Sequence, residues 1–272
     1  MAEHIEGPLY YERMGRTGPV MAFVHPNPMD QSCWIFQMAQ LSTWYRCVAI
    51  DIPGYGRSPK AEPGLTMRDT AQACWETIDA VAPGEKAILV GCSVGSAAIT
   101  YMHHERPPQT AALILSGTGY NPDKAFAPRR IKEYGQYGLD YRWRYTFDDF
   151  SPAFRATPLA RFFADMFTER NSCADLQTII HQFEAHAKPE PEDHQSRIGC
   201  PTIILSGSED ATHQSAFALQ ARIPDCEMKV LPGAGHACQI EQPWLFNRLM
   251  IEFLAQHGLF PGERCRITER AP

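Results

Sequence analysis

The chain's 272 residues exceed the usual domain size yet suit one α/β domain with an inserted lobe. With 44% hydrophobic and 21% charged residues, a packed core is expected rather than intrinsic disorder. Lys plus Arg total 25 against 31 Asp plus Glu, a formal charge of −6, so there is no overall positive field to attract nucleic acid or anionic lipid. Nine cysteines are an odd count without a C-x-x-C pair, and Cys47, Cys92 and Cys200 follow or sit inside apolar runs, which suits reduced thiols. Met1 to Tyr10 lacks a basic start followed by an apolar run, and no apolar stretch approaches the roughly 20 residues of a spanning helix. A soluble cytoplasmic protein is expected.

In chain order, Leu9 to Met14 forms an expected edge strand. Val20 to Val24, Cys47 to Ile50, Ala87 to Val90, Ala111 to Leu115 and Thr202 to Leu205 are brief, nearly all apolar runs that suit parallel strands covered on both faces. Glu227 to Leu231 is a further strand. Between them, Met67 to Val81 has apolar residues at three- and four-residue steps, with Thr66 and Asp69 as a capping box. Ser93 to His104 and Pro243 to Gln256 are the other helices. The alternation predicts an α/β fold, a mostly parallel sheet flanked by helices, with 1–118 and 197–260 as the core. Between Tyr120 and Phe167, 13 of 48 residues are aromatic against 11% overall, and no strand pattern appears before Pro201. Residues 119–196 are therefore expected to be a helical insertion at the sheet's edge, and 261–272 a loose tail.

Gly91-Cys92-Ser93-Val94-Gly95 follows an apolar run and opens a helix. A serine on such a tight turn projects its hydroxyl above the sheet, and the glycines let the strained backbone fit. A base must activate it. His236, in the loop Pro232 to His236 just past an expected strand, is the best of ten histidines; His103, His104, His181, His186, His4 and His257 read as solvated surface residues. Asp210, past another strand, is the expected orienting carboxylate, with Glu209 its rival. Ser93, Asp210 and His236 thus each follow an expected strand. For an oxyanion hole, the Val94 N–H is one donor. In His25-Pro26-Asn27-Pro28 the prolines have no N–H, which leaves Asn27 as the second.

These motifs, with Asp51-Ile52-Pro53-Gly54-Tyr55-Gly56-Arg57-Ser58 and Glu241-Gln242-Pro243, resemble the α/β-hydrolase superfamily over roughly residues 9 to 256. The resemblance implies a serine-nucleophile esterase or lactonase whose 119–196 insertion is a helical cap that covers the site and sets substrate choice. Relatives usually carry His-Gly where this chain has His25-Pro26. Asn27-Pro28 resembles the Asn-Pro of haloalkane dehalogenases, where the peptide is commonly cis. The Cys92-Ser93 elbow is also similar to zearalenone-type lactonases, but at the place of their triad acid stands Ser116-Gly117-Thr118-Gly119.

The expected chemistry is cleavage of an ester or lactone of a small, moderately apolar substrate through an acyl-enzyme. No cofactor, metal, nucleic acid or membrane partner is expected, and the oligomeric state is open. His25, Trp34, Tyr120, Tyr137 and Trp143 are candidate substrate contacts; the insertion's aromatics serve equally well as its own core, and its arginines as solvated surface. Three rivals use the same residues: carbon–carbon hydrolysis of a vinylogous diketone, amide hydrolysis, or cofactor-independent oxygen chemistry. A fourth, of another class, is a small-molecule receptor of the same fold, told apart by ligand binding without turnover.

Overall fold

Seven short strands alternate with helices in the computed structural model, which describes residues 7–120, 125–170, 175–188 and 194–262. The strands are β1 (Tyr11–Met14), β2 (Val20–Val24), β3 (Arg46–Ile50), β4 (Ala87–Cys92), β5 (Thr110–Ser116), β6 (Thr202–Gly207) and β7 (Glu227–Leu231). They form one sheet in the order β1-β3-β2-β4-β5-β6-β7, antiparallel at β1 and parallel elsewhere. The chain leaves β2 toward β3 on one side and β4 on the other. The carboxyl ends of the parallel strands therefore meet at a topological switch point, where open α/β sheets bind ligands.

Period-two alternation sorts the central strands into two cores. Val20, Ala22, Val24, Leu89, Leu113 and Ile204 face one layer; Met21, Phe23, Ile88, Val90, Ile114 and Leu205 face the other. Helices α2 (Met67–Val81) and α3 (Val94–Glu105) cover the first layer, and α1 (Ile35–Leu41), α10 (Cys238–Glu241) and α11 (Pro243–Gln256) the second. The remaining core helix is α9 (His213–Gln220), between β6 and β7.

The capping box on α2 forms as the sequence implies. Thr66 Oγ1 accepts from the Asp69 N–H at 3.2 Å, and the Thr66 N–H donates to Asp69 Oδ2 at 2.8 Å. Thr66→Ala should therefore cost about 1 kcal/mol of stability, measured by urea denaturation, with no change in turnover.

Between β5 and β6 the described residues hold α4 (Phe126–Tyr137), α5 (Tyr141–Asp148), α6 (Pro152–Arg155), α7 (Pro158–Arg170) and α8 (Leu176–Ala187). Their rings pack on both core layers: Tyr134, Tyr141, Tyr145 and Phe183 on one, Phe150, Phe163 and Phe167 on the other. Two arginines expected at the surface are drawn in. Arg142 is buried, and the Arg130 guanidinium lies 3.8 Å from the centre of the Tyr145 ring. Stacking on an aromatic face lets a weakly hydrated guanidinium leave water. Most of the expected tail, from 263 onward, lies outside the described residues, as does His4.

Candidate active site

Ser93 joins β4 to α3 at φ 56°, ψ −120°, one of two non-glycine residues with positive φ among those described. Such a conformation costs about 1–3 kcal/mol and persists only where its surroundings hold it. Here the Ser93 N–H donates to Ser116 O at 2.9 Å and Ser93 O accepts from the Ala97 N–H at 3.1 Å. The flanking glycines are needed for close approach. A Cβ on Gly91 would stand 2.5 Å from Gly95 O, and one on Gly95 2.1 Å from Val24 O. This second approach seats the start of α3 against the chain leaving β2.

Asp210 and His236 meet because the loops after β6 and β7 are stitched together. The Ser208 N–H donates to Leu231 O at 3.1 Å and the Glu209 N–H to Ala234 O at 2.9 Å, while Gly207 passes where any Cβ would lie 2.3 Å from Ala234 O and Gly235 O. Asp210 Oδ1 lies 3.0 Å from His236 Nδ1. The same carboxylate accepts from the Thr212 N–H at 2.9 Å and Thr212 Oγ1 at 2.7 Å. It thus serves as a local turn cap and as the imidazole's partner. Glu209, the rival, is exposed. Burial opposes the Asp210 charge, but His236 and the Thr212 donors hold its carboxyl down at about 2. Burial likewise opposes an imidazolium, yet the charge and hydrogen bond of Asp210, with Asp149 adding, raise His236 to about 9.

The His236 ring lies over Gly117, where a Cβ would be 3.0 Å from Cε1 and 3.2 Å from Nε2, beside Cys92 Sγ at 2.9 Å. Among the described residues the Ser93 hydroxyl has no hydrogen-bond partner. The structure brings Asp210 and His236 into contact and His236 beside the strand ends that carry Ser93, without a closed Ser93–His236 bond.

The loop after β2 carries a cis Asn27-Pro28 peptide. Asn27 is buried, its Oδ1 is unpartnered among the described residues, and no described group accepts from its N–H. Val94, as the first residue of α3, has no intrahelical acceptor for its own N–H.

His25 and Trp34, both candidate substrate contacts, are buried in the core. His25 has no exposed surface; its Nδ1 pairs with Pro26 O at 2.9 Å and its Nε2 accepts from the Ile52 N–H at 3.1 Å, which ties the loops after β2 and β3 together. Burial lowers it to about 4 and keeps it neutral. Trp34 is enclosed between Phe23 and Phe246. Tyr120 packs under the Arg222 guanidinium beside α9; Tyr137 is half exposed and stacks on Tyr141; Trp143 stacks on Phe147 and donates to Asp165 Oδ1 at 2.6 Å. None of the three meets Ser93, Asp210 or His236 in a ring contact or hydrogen bond among the described residues. His103 is also a correction: it is buried, and its Nε2 accepts from the Gly199 N–H at 3.4 Å, while His104 stacks on His194 at 3.7 Å.

Two site residues lacked any sequence assignment of role. Asp149, just after α5, accepts from the His236 N–H through its main-chain oxygen at 2.9 Å. Glu241 bridges the insertion and the His236 loop, accepting from the Ser151 N–H at 3.2 Å and the Gly235 N–H at 3.0 Å. Only the spacing of Glu241 after His236 hinted at the second; nothing marked the first. Among the described residues no cluster of His, Cys, Asp or Glu could hold a metal ion, and no helix is long and apolar enough to cross a membrane.

A family model described as "Alpha/beta hydrolase family" matches residues 21–246. A protein named as the carbamate hydrolase RutD, from Escherichia coli O26:H11, is 26% identical over 87% of this chain and 91% of its own. The dihydrolipoyllysine-residue acetyltransferase component of the acetoin cleaving system of Pseudomonas putida is 25% identical over 91% of this chain, which spans 66% of that protein's length. Among solved structures, a thermophilic esterase from Thermogutta terrifontis superposes with a TM-score of 0.81 at 24% identity, over 92% of this chain and 93% of its own.

Proposed function

This chain belongs to the alpha/beta hydrolase family, and from that premise we propose that it is a serine hydrolase that cleaves an ester or lactone of a small, moderately apolar molecule through an acyl-enzyme. The observation that carries the proposal is the Asp210–His236 pair, its carboxylate buried, standing at the same sheet edge as the strained Ser93 turn. A seryl oxygen suits a carbonyl, whose tetrahedral adduct an oxyanion hole can stabilise. His236 takes the Ser93 proton through Nε2 as Oγ attacks the carbonyl carbon, and Asp210 fixes the tautomer that leaves Nε2 free. The Val94 and Asn27 N–H groups hold the oxyanion, each worth about 3 kcal/mol of barrier. Protonated His236 then gives its proton to the leaving alkoxide; water repeats the sequence on the acyl-enzyme and frees the acid. Residues 119–196 act as a cap, and the Glu241 bridge joins that cap to the base-bearing loop.

A fluorophosphonate probe tests the reading. It should add covalently to the peptide that contains Ser93, located by mass spectrometry, and fail to add to Ser93→Ala protein. Labelling at another residue, or none at all with tight ligand binding, would favour a receptor of this fold.

The acid–base side makes a separate prediction. His236 must be neutral to accept a proton, and its raised value keeps it charged well past 6.5. The ratio kcat/KM for p-nitrophenyl butyrate should therefore climb with pH up to about 9, while Asp210 stays ionised throughout. A profile already level at pH 7 would contradict it.

A further inference from the structure

The chain just after α5 brings a second acidic residue, Asp149, to the His236 loop. Asp149 is held to the His236 loop by one main-chain hydrogen bond, from the His236 N–H to Asp149 O, and close by the Glu241 carboxylate accepts from both the Ser151 and Gly235 N–H groups. Gly235 is packed so tightly here that a Cβ would stand 2.8 Å from Asp149 O and 2.6 Å from Ser151 N. The backbone of Asp149 therefore has little freedom relative to His236. Its side-chain Oδ2 is buried and has no hydrogen-bond partner among the described residues. A buried carboxylate oxygen with no donor is expensive unless it holds a proton or a nearby cation faces it.

The charged and titratable groups around it come from six elements, among them β4, which carries the Cys92 thiol. His236 and Glu241 stand on the loop and helix after β7, Asp210 on the loop after β6, Arg130 and Tyr134 on α4, and Tyr145 and Asp148 on α5. The attraction from His236 exceeds that from Arg130, and burial raises the Asp149 carboxyl to about 7 against both. Arg130 is engaged elsewhere: it pairs with Glu133 and the Tyr141 hydroxyl and lies over Tyr145.

We propose that Asp149 is a positioning residue for the base: a second carboxylate, supplied by the insertion, whose charge, alongside that of Asp210, sets the pH at which the imidazole becomes free to act. The proposal rests on His236 being the base of the reaction assigned above. In the one-proton state of the pair the proton sits either on His236, facing a charged Asp149, or on Asp149, leaving His236 neutral. The two sites titrate as a unit with two macroscopic steps. The insertion thus contributes to the chemistry as well as to any substrate cover.

The test is the pH dependence of kcat/KM for p-nitrophenyl butyrate in wild type, Asp149→Asn and Asp149→Ala. Loss of one negative charge facing the imidazolium lowers its affinity for the proton. The acid limb should move to lower pH by about one unit in both variants and collapse to a single ionisation. The His236 Nδ1–H proton resonance, followed by NMR through the same titration, should move with it and needs no turnover. Because the variants remove a buried, unpartnered charge, both should melt at or above the wild-type temperature near neutral pH. A limb and resonance unmoved in variants that fold would overturn the proposal, whereas Ser93→Ala protein retaining wild-type turnover would overturn the underlying reading instead.

Discussion

Ser93→Ala is expected to lower kcat/KM for activated esters by at least about 10⁴-fold while leaving the fold intact. Both halves follow from the geometry of the elbow. The hydroxyl makes no hydrogen bond among the described residues, so its removal deletes no structural contact, and the positive φ imposes about the same strain on alanine as on serine. Stability in urea should change by no more than about 0.5 kcal/mol. The Val94 and Asn27 N–H groups remain in place in the variant, so substrate should still bind and KM should hold nearly constant while kcat falls. Single-turnover mixing of wild type with a p-nitrophenyl ester should release a burst of nitrophenolate if deacylation is slower than acylation, and the variant none. A variant that kept more than a hundredth of the parent rate would mean that the bond is broken without Ser93.

Much of the core is legible in the chain because burial on both faces leaves little choice of residue. Val20 to Val24 is five buried residues in a row, and the strand begins and ends where the apolar run does. Pro83-Gly84 and the Thr66–Asp69 box bound α2 by local chemistry alone. Short elements fared differently: α1 and α9 have seven and eight residues, too few turns for periodicity to emerge. At the site, adjacency in sequence could not choose between Glu209 and Asp210. The choice was made by the turn, which exposes one and buries the other on Thr212. From polarity alone His103, Arg130 and Arg142 read as solvated, but each acquires a partner that the local pattern does not announce: Gly199 for His103, the Tyr145 ring for Arg130, and the Leu139 and Thr168 carbonyls for Arg142. Asp149 left no trace in the pattern for the same reason. Its meaning depends on His236, 87 positions away, and on a main-chain contact that no side-chain spacing encodes.

Asp210→Asn is the substitution that separates charge from shape, and it should cost about 10⁴-fold in kcat at neutral pH. An asparagine fills the same space and can still accept from Thr212, but one arm becomes an NH₂ donor. With that arm toward His236, Nδ1 must accept, the imidazole proton moves to Nε2, and the atom that should take the serine proton is already occupied. The charge change has its own sign. Asp210 is the stronger of the two carboxylates that raise His236, so without it the imidazole's value falls and what activity remains should reach its plateau at lower pH than wild type. The same pair fixes how the substitution acts on stability. His236 is raised in the folded chain, so its contribution is complete below about 6.5 and is lost as pH rises through about 9. Asp210 is depressed, so its contribution is present above about 3.9 and is lost as pH falls toward about 2. The two conditions overlap between about pH 4 and 6.5, and there the melting temperature of Asp210→Asn should lie furthest below wild type. Above pH 9 both proteins hold a neutral imidazole, and the gap should narrow to the loss of a single Thr212 contact. A deficit that stayed constant from pH 5 to pH 10 would mean that the pair is bound by hydrogen-bond geometry alone, and the electrostatic account of the base would fail with it.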